Sequence, residues 1–278
     1  MKIERIINFL VKLALTEDVG PGDITTLALI PREQKAKAVI RAKARGIICG
    51  LPVAREVFRH LDPHLRFSPK VKEGALVKPG QVVAEVEGRV RGILIGERTA
   101  LNFLQHLSGV ATLTNQFVKK VEGKKVKILD TRKTIPGLRV LEKYAVRVGG
   151  GVNHRLGLYD AILIKDNHLK MTGGIKKAIR KIRSQYGVKK PIEVEAKSLA
   201  EVREAIEERV NRILIDNMDL KTLRQAVKLC RKAGIVTEAS GKVSLPKVRA
   251  IAATGVDYIS IGALTHSAPA LDLNLKII

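Results

Sequence analysis

The sequence predicts an α/β protein whose larger part is an irregular, incomplete α/β barrel. From residue 126 onward, six short apolar segments alternate with amphipathic helical segments, a pattern typical of a parallel sheet covered by helices. Nearly every predicted strand ends in a polar or charged residue, as at Asp130, Lys165 and Asp216. A barrel gathers its strand ends around one mouth, whereas an open sheet directs several of them elsewhere, so this pattern favours the barrel. Six strands are fewer than eight, so the barrel is irregular or further strands lie near residues 146–152.

The first part of the chain predicts a docked helix followed by a half-buried strand. Residues 1–15 place apolar side chains at helical spacing around Glu4, which favours a helix packed on the protein over a signal peptide. Residues 36–45 alternate small or apolar side chains with lysine and arginine, interrupted at Val39. This alternation predicts a strand with a basic outer face.

Two further segments precede the barrel. Residues 72–88 predict short strands joined by glycine and proline turns in a structural hairpin. The hairpin resembles those of biotinyl and lipoyl carrier domains, but no suitably flanked lysine lies at a tip. Residues 95–121 follow a helical period and form one long helix or two helices divided near Ser108 and Gly109.

The barrel elements follow in regular order. The predicted strands are residues 126–130, 161–165, 192–197, 212–217, 235–240 and 256–262. The predicted helices are residues 139–147, 173–185, 199–209, 219–232 and 245–254.

Composition limits the classes of protein to which the chain can belong. The formal net charge of +24 raises nucleic acid as a partner, but aromatic residues make up 3% of the chain and tryptophan is absent, so a base-stacking surface is not expected. We therefore interpret the charge as a generally cationic surface and expect no nucleic-acid partner. No apolar run is long enough to cross a bilayer, so no membrane association is expected. Two cysteines are too few for a disulfide framework, which favours a cytoplasmic protein.

Residues 130–168 contain the most informative cluster of charge. Lys165 directly follows the apolar run 161–164, and His154 and Arg155 lie shortly after the three glycines at 149–151, where a core has little use for cations. Cations at the ends of buried segments predict a pocket for a small, highly charged anion. The basic residues of this stretch are Arg132, Lys133, Arg139, Lys143, Arg147, His154, Arg155, Lys165 and His168.

Two other groups are expected at the same mouth. Glu195 and Asp216 end neighbouring predicted strands, and paired carboxylates beside a phosphate-rich ligand commonly hold Mg²⁺ or ribose hydroxyls. Alternatively, these carboxylates pair with Lys165 or Lys197 in a purely structural network. The third group consists of two small-residue loops with backbone N–H groups suited to a phosphate, Ser240-Gly241 and Gly262-Ala263, although Gly262 could equally form a simple turn. Together the groups predict a site for a dianionic organic acid, a phosphorylated sugar and Mg²⁺.

At these residues the sequence closely resembles the quinolinate phosphoribosyltransferase family over nearly the whole chain. The resemblance rests on these segments in this order: EDVGPGDITT (17–26), GERTALNFLQHLSGVAT (96–112), the DTRKT and IKDNH block (130–168), EVEAKS (193–198), ILIDNM (213–218), EASGK (238–242) and TGVDYISIGALTHS (254–267). The density and order of the motifs make the resemblance highly specific.

The resemblance implies both a fold and a reaction. The fold is an N-terminal α/β sandwich domain over residues 1–105 and an incomplete α/β barrel over residues 106–265, with the tail 266–278 packing back on the sandwich. The reaction transfers phosphoribosyl from 5-phosphoribosyl-1-diphosphate to quinolinate with decarboxylation. It gives nicotinate mononucleotide, diphosphate and CO₂, uses Mg²⁺ and feeds de novo NAD synthesis.

The resemblance also implies a role for each matching residue. The quinolinate-binding residues would be Arg98, Thr131, Arg132, His154, Arg155 and Lys165, with Arg98 entering the site of a neighbouring subunit in a homodimer. The residues that bind 5-phosphoribosyl-1-diphosphate would be Lys133, Glu195, Asp216, Ser240, Gly241, Lys242, Ile261, Gly262 and Ala263. The catalytic groups would be Lys133, Lys165, Glu195 and Asp216, with Glu195 and Asp216 holding Mg²⁺ directly or through water.

One position departs from the family pattern, and two other functions compete. Family members often have a glycine or other small residue where this chain has Lys242. A phosphoribosyltransferase for a related pyridine such as nicotinate is one alternative, but a monoacid needs fewer carboxylate-binding cations. A basic nucleic-acid-binding protein is the alternative from a different class. The group that protonates the ring carbon after decarboxylation stays open between Lys165 and His168.

Overall fold

A computed structural model describes residues 3–188 and 190–278, and they form two compact units. Unit 1 consists of Met1–Asn115, Thr134–Gly150 and Leu264–Ile278, and unit 2 consists of Gln116–Lys133 and Gly151–Ala263. These units interleave along the chain, whereas the sequence predicts one boundary after residue 105 and another after residue 265. No helix within the described ranges combines the length and apolarity needed to cross a bilayer.

The helices are α1 Ile3–Val19, α2 Ile24–Leu29, α3 Leu51–Leu61, α4 Val90–Lys120, α5 Arg139–Val148, α6 Asp166–Thr172, α7 Ile175–Tyr186, α8 Leu199–Glu207, α9 Leu220–Lys232, α10 Val248–Ala252 and α11 Ala263–His266. The strands are β1 Lys35–Ala42, β2 Gly46–Ile47, β3 Arg66–Pro69, β4 Leu76–Val77, β5 Val82–Arg89, β6 Lys127–Leu129, β7 Ile162–Ile164, β8 Ile192–Ala196, β9 Arg212–Asp216, β10 Val236–Ser240, β11 Tyr258–Ser260 and β12 Leu273–Ile277.

Unit 1 is built on an antiparallel sheet with the strand order β12-β1-β5-β3. Strand β12, near the end of the chain, pairs with β1 in the register Ile40↔Leu275. Helix α1 buries Leu10, Val11 and Leu15 and packs against α3. Helices packed on an antiparallel sheet give the α/β sandwich that the family resemblance implies.

Unit 2 is a parallel sheet of six strands in the order β6-β11-β10-β9-β8-β7. The first strand, β6, lies beside the last, β11, which is the neighbour relation of a closed barrel. A gap separates β6 from β7, and only a single bridge from Leu129 to Val152 lies there. The predicted incomplete α/β barrel is confirmed, and the region near residues 146–152 contributes this bridge instead of a further full strand.

The structure corrects one local prediction and decides between two alternatives for another segment. The short strands within residues 72–88 do not form a hairpin with each other, because β4 pairs with β2 while β5 pairs with β1 and β3. For residues 95–121 the sequence left one helix or two open, and the structure has one helix, α4, which runs through Gly109 and ends at Lys120. A side chain at Gly109 would overlap the backbone at Pro269 and Ala270, so this glycine allows close packing and does not mark a helix end.

Candidate functional site

The carboxyl ends of the parallel strands of unit 2 place the predicted polar residues along one edge of the sheet. Ser240 pairs in register with Asp216, and Ala196, next to Glu195, pairs with Ile215. Strand β11 runs beside β10, so the chain leaves both strands at the same edge. Parallel pairing thus brings together side chains at the ends of β8, β9, β10 and β11, as the alternation of strands and helices predicts.

Two guanidinium groups lie close together at this edge. Burial lowers the pKa of Arg155, and the positive charge of Arg132 lowers it further, so the two cations act on each other. Arg155 is half-buried, and its Nη1 donates to the carbonyl oxygen of Ala161 at 2.9 Å. The same loop is fixed by Asp160, whose Oδ2 accepts the Leu156 N–H at 2.7 Å. Adjacent, partly desolvated guanidinium groups favour an anion with two acidic oxygens.

The backbone of the two segments that carry these arginines is anchored by hydrogen bonds. Asp130 is fully buried and its Oδ1 accepts the backbone N–H of His154 at 2.8 Å. The hydroxyl of Thr131 accepts the backbone N–H of Lys133 at 3.0 Å, which shapes the turn after β6. The Lys133 side chain is exposed, so its ammonium group can reach a bound ligand.

Glu195 and Asp216 form a closely spaced carboxylate pair. Burial raises the pKa of Glu195, and the charge of Asp216 raises it further, while Lys165 and Lys197 act in the opposite direction. The Lys165 Nζ lies 4.0 Å from Glu195 Oε2, and the Lys197 Nζ lies 3.8 Å from Oε1. The structural pairing that the sequence left open is therefore present, but these separations exceed hydrogen-bond length.

The two carboxylates offer a site that fits a divalent cation, because burial and the charge of Asp216 both raise the pKa of Glu195. Glu195 is buried and Asp216 half-buried, and both offer the hard oxygen ligands that Mg²⁺ prefers. A divalent cation bound between them would offset the repulsion that raises the pKa of Glu195. The donor chemistry of this part of the edge is therefore suited to Mg²⁺.

The first small-residue loop has an unusual backbone. Gly241 has a φ of 100°, and the residues Asn217 and Lys242 also lie in the left-handed region, with φ of 54° and 41°. The Asn217 N–H donates to the Ser240 carbonyl oxygen at 3.0 Å, and its Nδ2 donates to Asp216 Oδ2 at 2.8 Å. A left-handed residue with a Cβ is strained, which is a physical reason for the small residue that the family resemblance implies at position 242. The exposed Lys242 side chain extends toward solvent.

The second loop follows β11. Ile261 is buried and its backbone N–H donates to the Leu129 carbonyl oxygen at 3.0 Å, so this N–H is already used within the protein. Gly262 and Ala263 are half-buried and lead into α11. Ile261 therefore sets the position of the loop, and a ligand contact from this loop falls to Gly262 and Ala263.

Three predicted residues have surroundings that the sequence did not indicate. His168 accepts the Lys165 backbone N–H on Nδ1 at 3.0 Å and so caps α6. Arg98 is exposed on α4 within unit 1. His154 engages both ring nitrogens within the protein, since Nδ1 accepts the Arg155 backbone N–H at 2.7 Å and Nε2 lies 3.2 Å from Glu193.

Sequence reasoning missed the partners of His154. Glu193 and Glu238 are both buried, and Arg212 Nη1 lies 3.0 Å from Glu238 Oε2. The available signal was the segment EVEAK, where Glu193 and Glu195 are two residues apart on one strand and therefore face the same side of the sheet. Two inward carboxylates in an otherwise apolar strand predict a polar interior that requires partners.

Comparisons with known proteins show which sequences and folds this chain is similar to. The family model for the C-terminal domain of quinolinate phosphoribosyl transferase matches residues 110–276, and that for the N-terminal domain matches residues 23–108. The chain is 46% identical over 266 residues to a protein of Synechocystis sp. named probable nicotinate-nucleotide pyrophosphorylase (carboxylating), covering 95% of this chain and 90% of the relative. It is 45% identical over 261 residues to a Bacillus subtilis protein of the same name, covering 94% and 90%. The solved structure of the nicotinate-nucleotide pyrophosphorylase from Francisella tularensis superposes with a TM-score of 0.94 at 41% identity, covering 99% of this chain and 96% of that one.

Proposed function

This chain belongs to the quinolinate phosphoribosyltransferase family, and we propose that the polar edge of its parallel sheet is the active site for the family reaction. The enzyme transfers phosphoribosyl from 5-phosphoribosyl-1-diphosphate to quinolinate, with loss of CO₂, to give nicotinate mononucleotide and diphosphate in de novo NAD synthesis. The observation that carries this assignment is the mutual influence of Arg132 and Arg155, in the segments that follow β6 and the Val152 bridge, in the same unit as the carboxylates Glu195 and Asp216.

The cations bring together substrates that repel each other. Quinolinate carries two carboxylates and the sugar diphosphate carries several negative charges, so binding them side by side requires compensating positive charge. Arg132 and Arg155 each match the geometry of a carboxylate, and Lys165 supplies a further positive charge near Glu195. Lys133, exposed after β6, is placed to contact the diphosphate.

The carboxylates act on the charge that develops on the sugar. As the C1–O bond to diphosphate breaks, positive charge grows on the ribose carbon, and an ionised Glu195 or Asp216 stabilises it. The quinolinate nitrogen then forms the new bond to that carbon. Loss of the adjacent carboxylate as CO₂ leaves the bonding electron pair on the ring carbon, where the positive charge of the neighbouring pyridinium nitrogen stabilises it. A proton then adds to that carbon, so the step needs a proton donor and no strong protein base.

Mg²⁺ is part of the proposal. Glu195 and Asp216 would hold the ion directly or through water, and the bound ion would supply Lewis-acid stabilisation of the departing diphosphate. The support is the donor set itself, two crowded oxygen ligands whose repulsion a divalent cation relieves.

Removal of divalent cations with EDTA is expected to abolish turnover, since the diphosphate would lose the stabilisation proposed above. Excess Mg²⁺ should restore the activity, whereas Ca²⁺ should restore it poorly because its coordination is larger and less regular. Formation of nicotinate mononucleotide, followed by mass spectrometry, measures this. Full activity in the presence of EDTA would remove Mg²⁺ from the mechanism.

The assay that tests the function supplies quinolinate, 5-phosphoribosyl-1-diphosphate and Mg²⁺ and detects nicotinate mononucleotide and CO₂. Nicotinate serves as the comparison substrate, because it carries one carboxylate and would leave one of the arginines without a partner. We expect turnover with quinolinate and little with nicotinate. Preferential turnover of nicotinate, or no phosphoribosyl transfer to either acid, would contradict the assignment.

The first small-residue loop gives a prediction for the sugar phosphate. Gly241→Ala is expected to raise KM for 5-phosphoribosyl-1-diphosphate by about tenfold or more, because alanine is strained at this φ and its Cβ would overlap the Asn217 side chain. Gly234→Ala is the matched control, since Gly234 has a φ of 70° but open space around its Cβ position. The control should lower stability by about 1 kcal/mol with unchanged kinetics. Equal kinetic effects in both variants would remove the loop from the phosphate site.

We propose that the enzyme is a homodimer in which Arg98 reaches the active site of the partner subunit. The support is the family resemblance at GERTALN together with the exposure of Arg98 on α4. Arg98 offers a bidentate group that a carboxylate ligand can use.

Subunit mixing is expected to restore activity between two inactive variants. In a mixed dimer of an Arg98→Ala subunit and a Lys165→Ala subunit, both changes fall in the same active site, so the other site carries neither change. Random reassortment should recover about one quarter of the wild-type activity. Sedimentation before and after mixing checks the dimer, and complementation that stays at background would contradict the shared site.

We also propose a cytoplasmic location. Both cysteines, Cys49 and Cys230, are buried free thiols, and burial raises the pKa of each, so neither is poised for disulfide exchange. This agrees with a protein that works in a reducing compartment.

A further inference from the structure

Asn217 is a non-glycine residue in the left-handed region at the point where β9 ends. Its φ is 54°, a conformation that asparagine tolerates better than most residues but that only glycine adopts without strain. It follows Asp216, the last residue of β9, and precedes Asp219, which caps α9. Strained backbone of this kind persists where the surrounding structure determines it, and it occurs most often at functional sites. The conformation of Asn217 therefore indicates a role beyond closing the turn.

The backbone of Asn217 joins the ends of two strands. Its N–H donates to the Ser240 carbonyl oxygen at 3.0 Å, one residue beyond the register pair of Ser240 and Asp216. This bond holds the turn after Asp216 against the first small-residue loop, which continues from Ser240 to Gly241. The carboxylate at the end of β9 and the loop at the end of β10 are thus fixed to each other through Asn217.

The side chain of Asn217 lies between the same two groups. Nδ2 donates to Asp216 Oδ2 at 2.8 Å, and the amide cannot be turned round, because its oxygen would then face a carboxylate oxygen. The amide oxygen lies against Gly241, where an added Cβ would overlap it. One amide group therefore contacts the Asp216 carboxylate at one end and the loop at the other.

The choice of an amide as the partner of Asp216 has a chemical consequence. The hydrogen bond restrains the orientation of the half-buried carboxylate, and the neutral donor leaves its negative charge in place. A lysine or arginine in this position would cancel the charge that is proposed to act on the ribose carbon. Displacement of a reacting group by about 1 Å can cost as much as 10²-fold in rate, so the restraint matters.

We propose that Asn217 is a positioning residue that sets the place of the Asp216 carboxylate relative to the loop at Ser240 and Gly241. The inference rests on the proposed function, in which Asp216 stabilises the charge on the ribose carbon and the loop binds the phosphate of the same sugar. A sugar held by its phosphate presents its reacting carbon at a fixed distance from the loop. Asn217 fixes the carboxylate to that loop and so aligns it with the reacting carbon.

Asn217→Gly separates this role from a simple fit to the turn. Glycine adopts the left-handed conformation without strain and keeps the backbone N–H, but it lacks the amide. We expect kcat to fall by at least about fivefold, while KM for quinolinate stays within about twofold because Arg132 and Arg155 are unchanged. A residue that served only the turn could be replaced by glycine without loss. A smaller decrease in kcat would therefore overturn the proposal.

Asn217→Asp separates the donor from the shape of the side chain. Aspartate matches asparagine in size and also tolerates the left-handed region, but an ionised carboxylate cannot donate to Asp216. We expect kcat to fall at least as far as in Asn217→Gly, and a clearly higher kcat in Asn217→Asp would overturn the role of the donor.

Arg209→Gly is the matched control for both variants. Arg209 is also left-handed, with a φ of 50°, and it is exposed beyond the end of α8. We expect its kinetics to equal those of wild type. A loss of kcat equal to that of Asn217→Gly would show a general effect of glycine and overturn the proposal.

A double-mutant cycle tests whether the effect passes through Asp216. In the Asp216→Ala background, the further change Asn217→Gly should lower kcat by less than about twofold, since the carboxylate that it positions is gone. A larger further loss would overturn the proposal. Formation of nicotinate mononucleotide, followed by mass spectrometry, gives kcat for the four proteins.

Thermal unfolding of the same four proteins tests the contact without any activity. The shift in Tm of the double variant should differ from the sum of the two single shifts, because Asn217 and Asp216 interact directly. Additive shifts would overturn the contact on which the proposal depends. Absence of phosphoribosyl transfer in the wild type would instead count against the proposed function, and the unfolding cycle would still test the contact.

Discussion

Arg155→Ala is expected to lower kcat/KM for quinolinate by about 30- to 1,000-fold while KM for 5-phosphoribosyl-1-diphosphate changes little. The guanidinium is half-buried beside Arg132, so its removal leaves a substrate carboxylate desolvated and without its bidentate partner. Loss of one partner of such a charged pair costs on the order of 2–4 kcal/mol, which corresponds to the stated range. Steady-state kinetics with each substrate varied in turn provides the measurement.

Two further variants make this result specific. Arg155→Lys should recover part of the loss, because lysine restores the charge but not the two parallel N–H donors. Arg32→Ala is the matched control, since Arg32 is exposed and its contact with Glu33 is 3.9 Å long on the surface. A quinolinate dependence that is unchanged in Arg155→Ala, or equally changed in the control, would remove the arginine from the binding site.

Glu195→Gln and Asp216→Asn are each expected to lower kcat by about 10²- to 10³-fold. Both changes keep the shape of the side chain but remove the negative charge that faces the developing positive charge on the ribose carbon. They also remove a ligand proposed for Mg²⁺, so the concentration of Mg²⁺ needed for half-maximal activity should rise. Single-turnover measurements of nicotinate mononucleotide formation separate the chemical step from product release.

The control for the carboxylates is Glu207→Gln, which neutralises an exposed glutamate on α8 and should leave kcat and the Mg²⁺ requirement unchanged. Thermal unfolding should show that Glu195→Gln is at least as stable as wild type. Burial and the charge of Asp216 both oppose the ionisation of Glu195. Glutamine carries no charge, so it avoids the desolvation of a carboxylate and the repulsion from Asp216. A loss of less than about tenfold in both carboxylate variants would exclude them from the reaction.

Much of the candidate site was predictable because it lies at strand ends. A parallel sheet brings the carboxyl ends of its strands to one edge whatever the details of packing, so a polar residue after each apolar run identifies that edge. Glu195, Asp216 and Ser240 were located in this way. The prediction of a hairpin over residues 72–88 was wrong because strand pairing is not encoded locally. Two short strands that follow each other in the sequence carry no local signal that says which sheet each will join.

The helical segment around Gly109 shows a second limit of local reasoning. A glycine in a helical segment predicts either a break or a close contact, and only the approach of the backbone at Pro269 decides between them. The left-handed backbone at Lys242 could not be predicted locally either. The conformational strain of this residue becomes visible only once the loop geometry is known.

The order of apolar and polar residues was enough to determine the α/β class, the incomplete barrel and the cationic character of the site. Those properties follow from periodicity and from strand ends, which are encoded over short stretches of chain. The tertiary structure alone decided that His154 is held by Glu193 and Glu238, and that Arg212 completes the cluster. These partners lie on separate strands, and their meeting depends on sheet order and register, which are set by the packing of the whole barrel and not by any local segment.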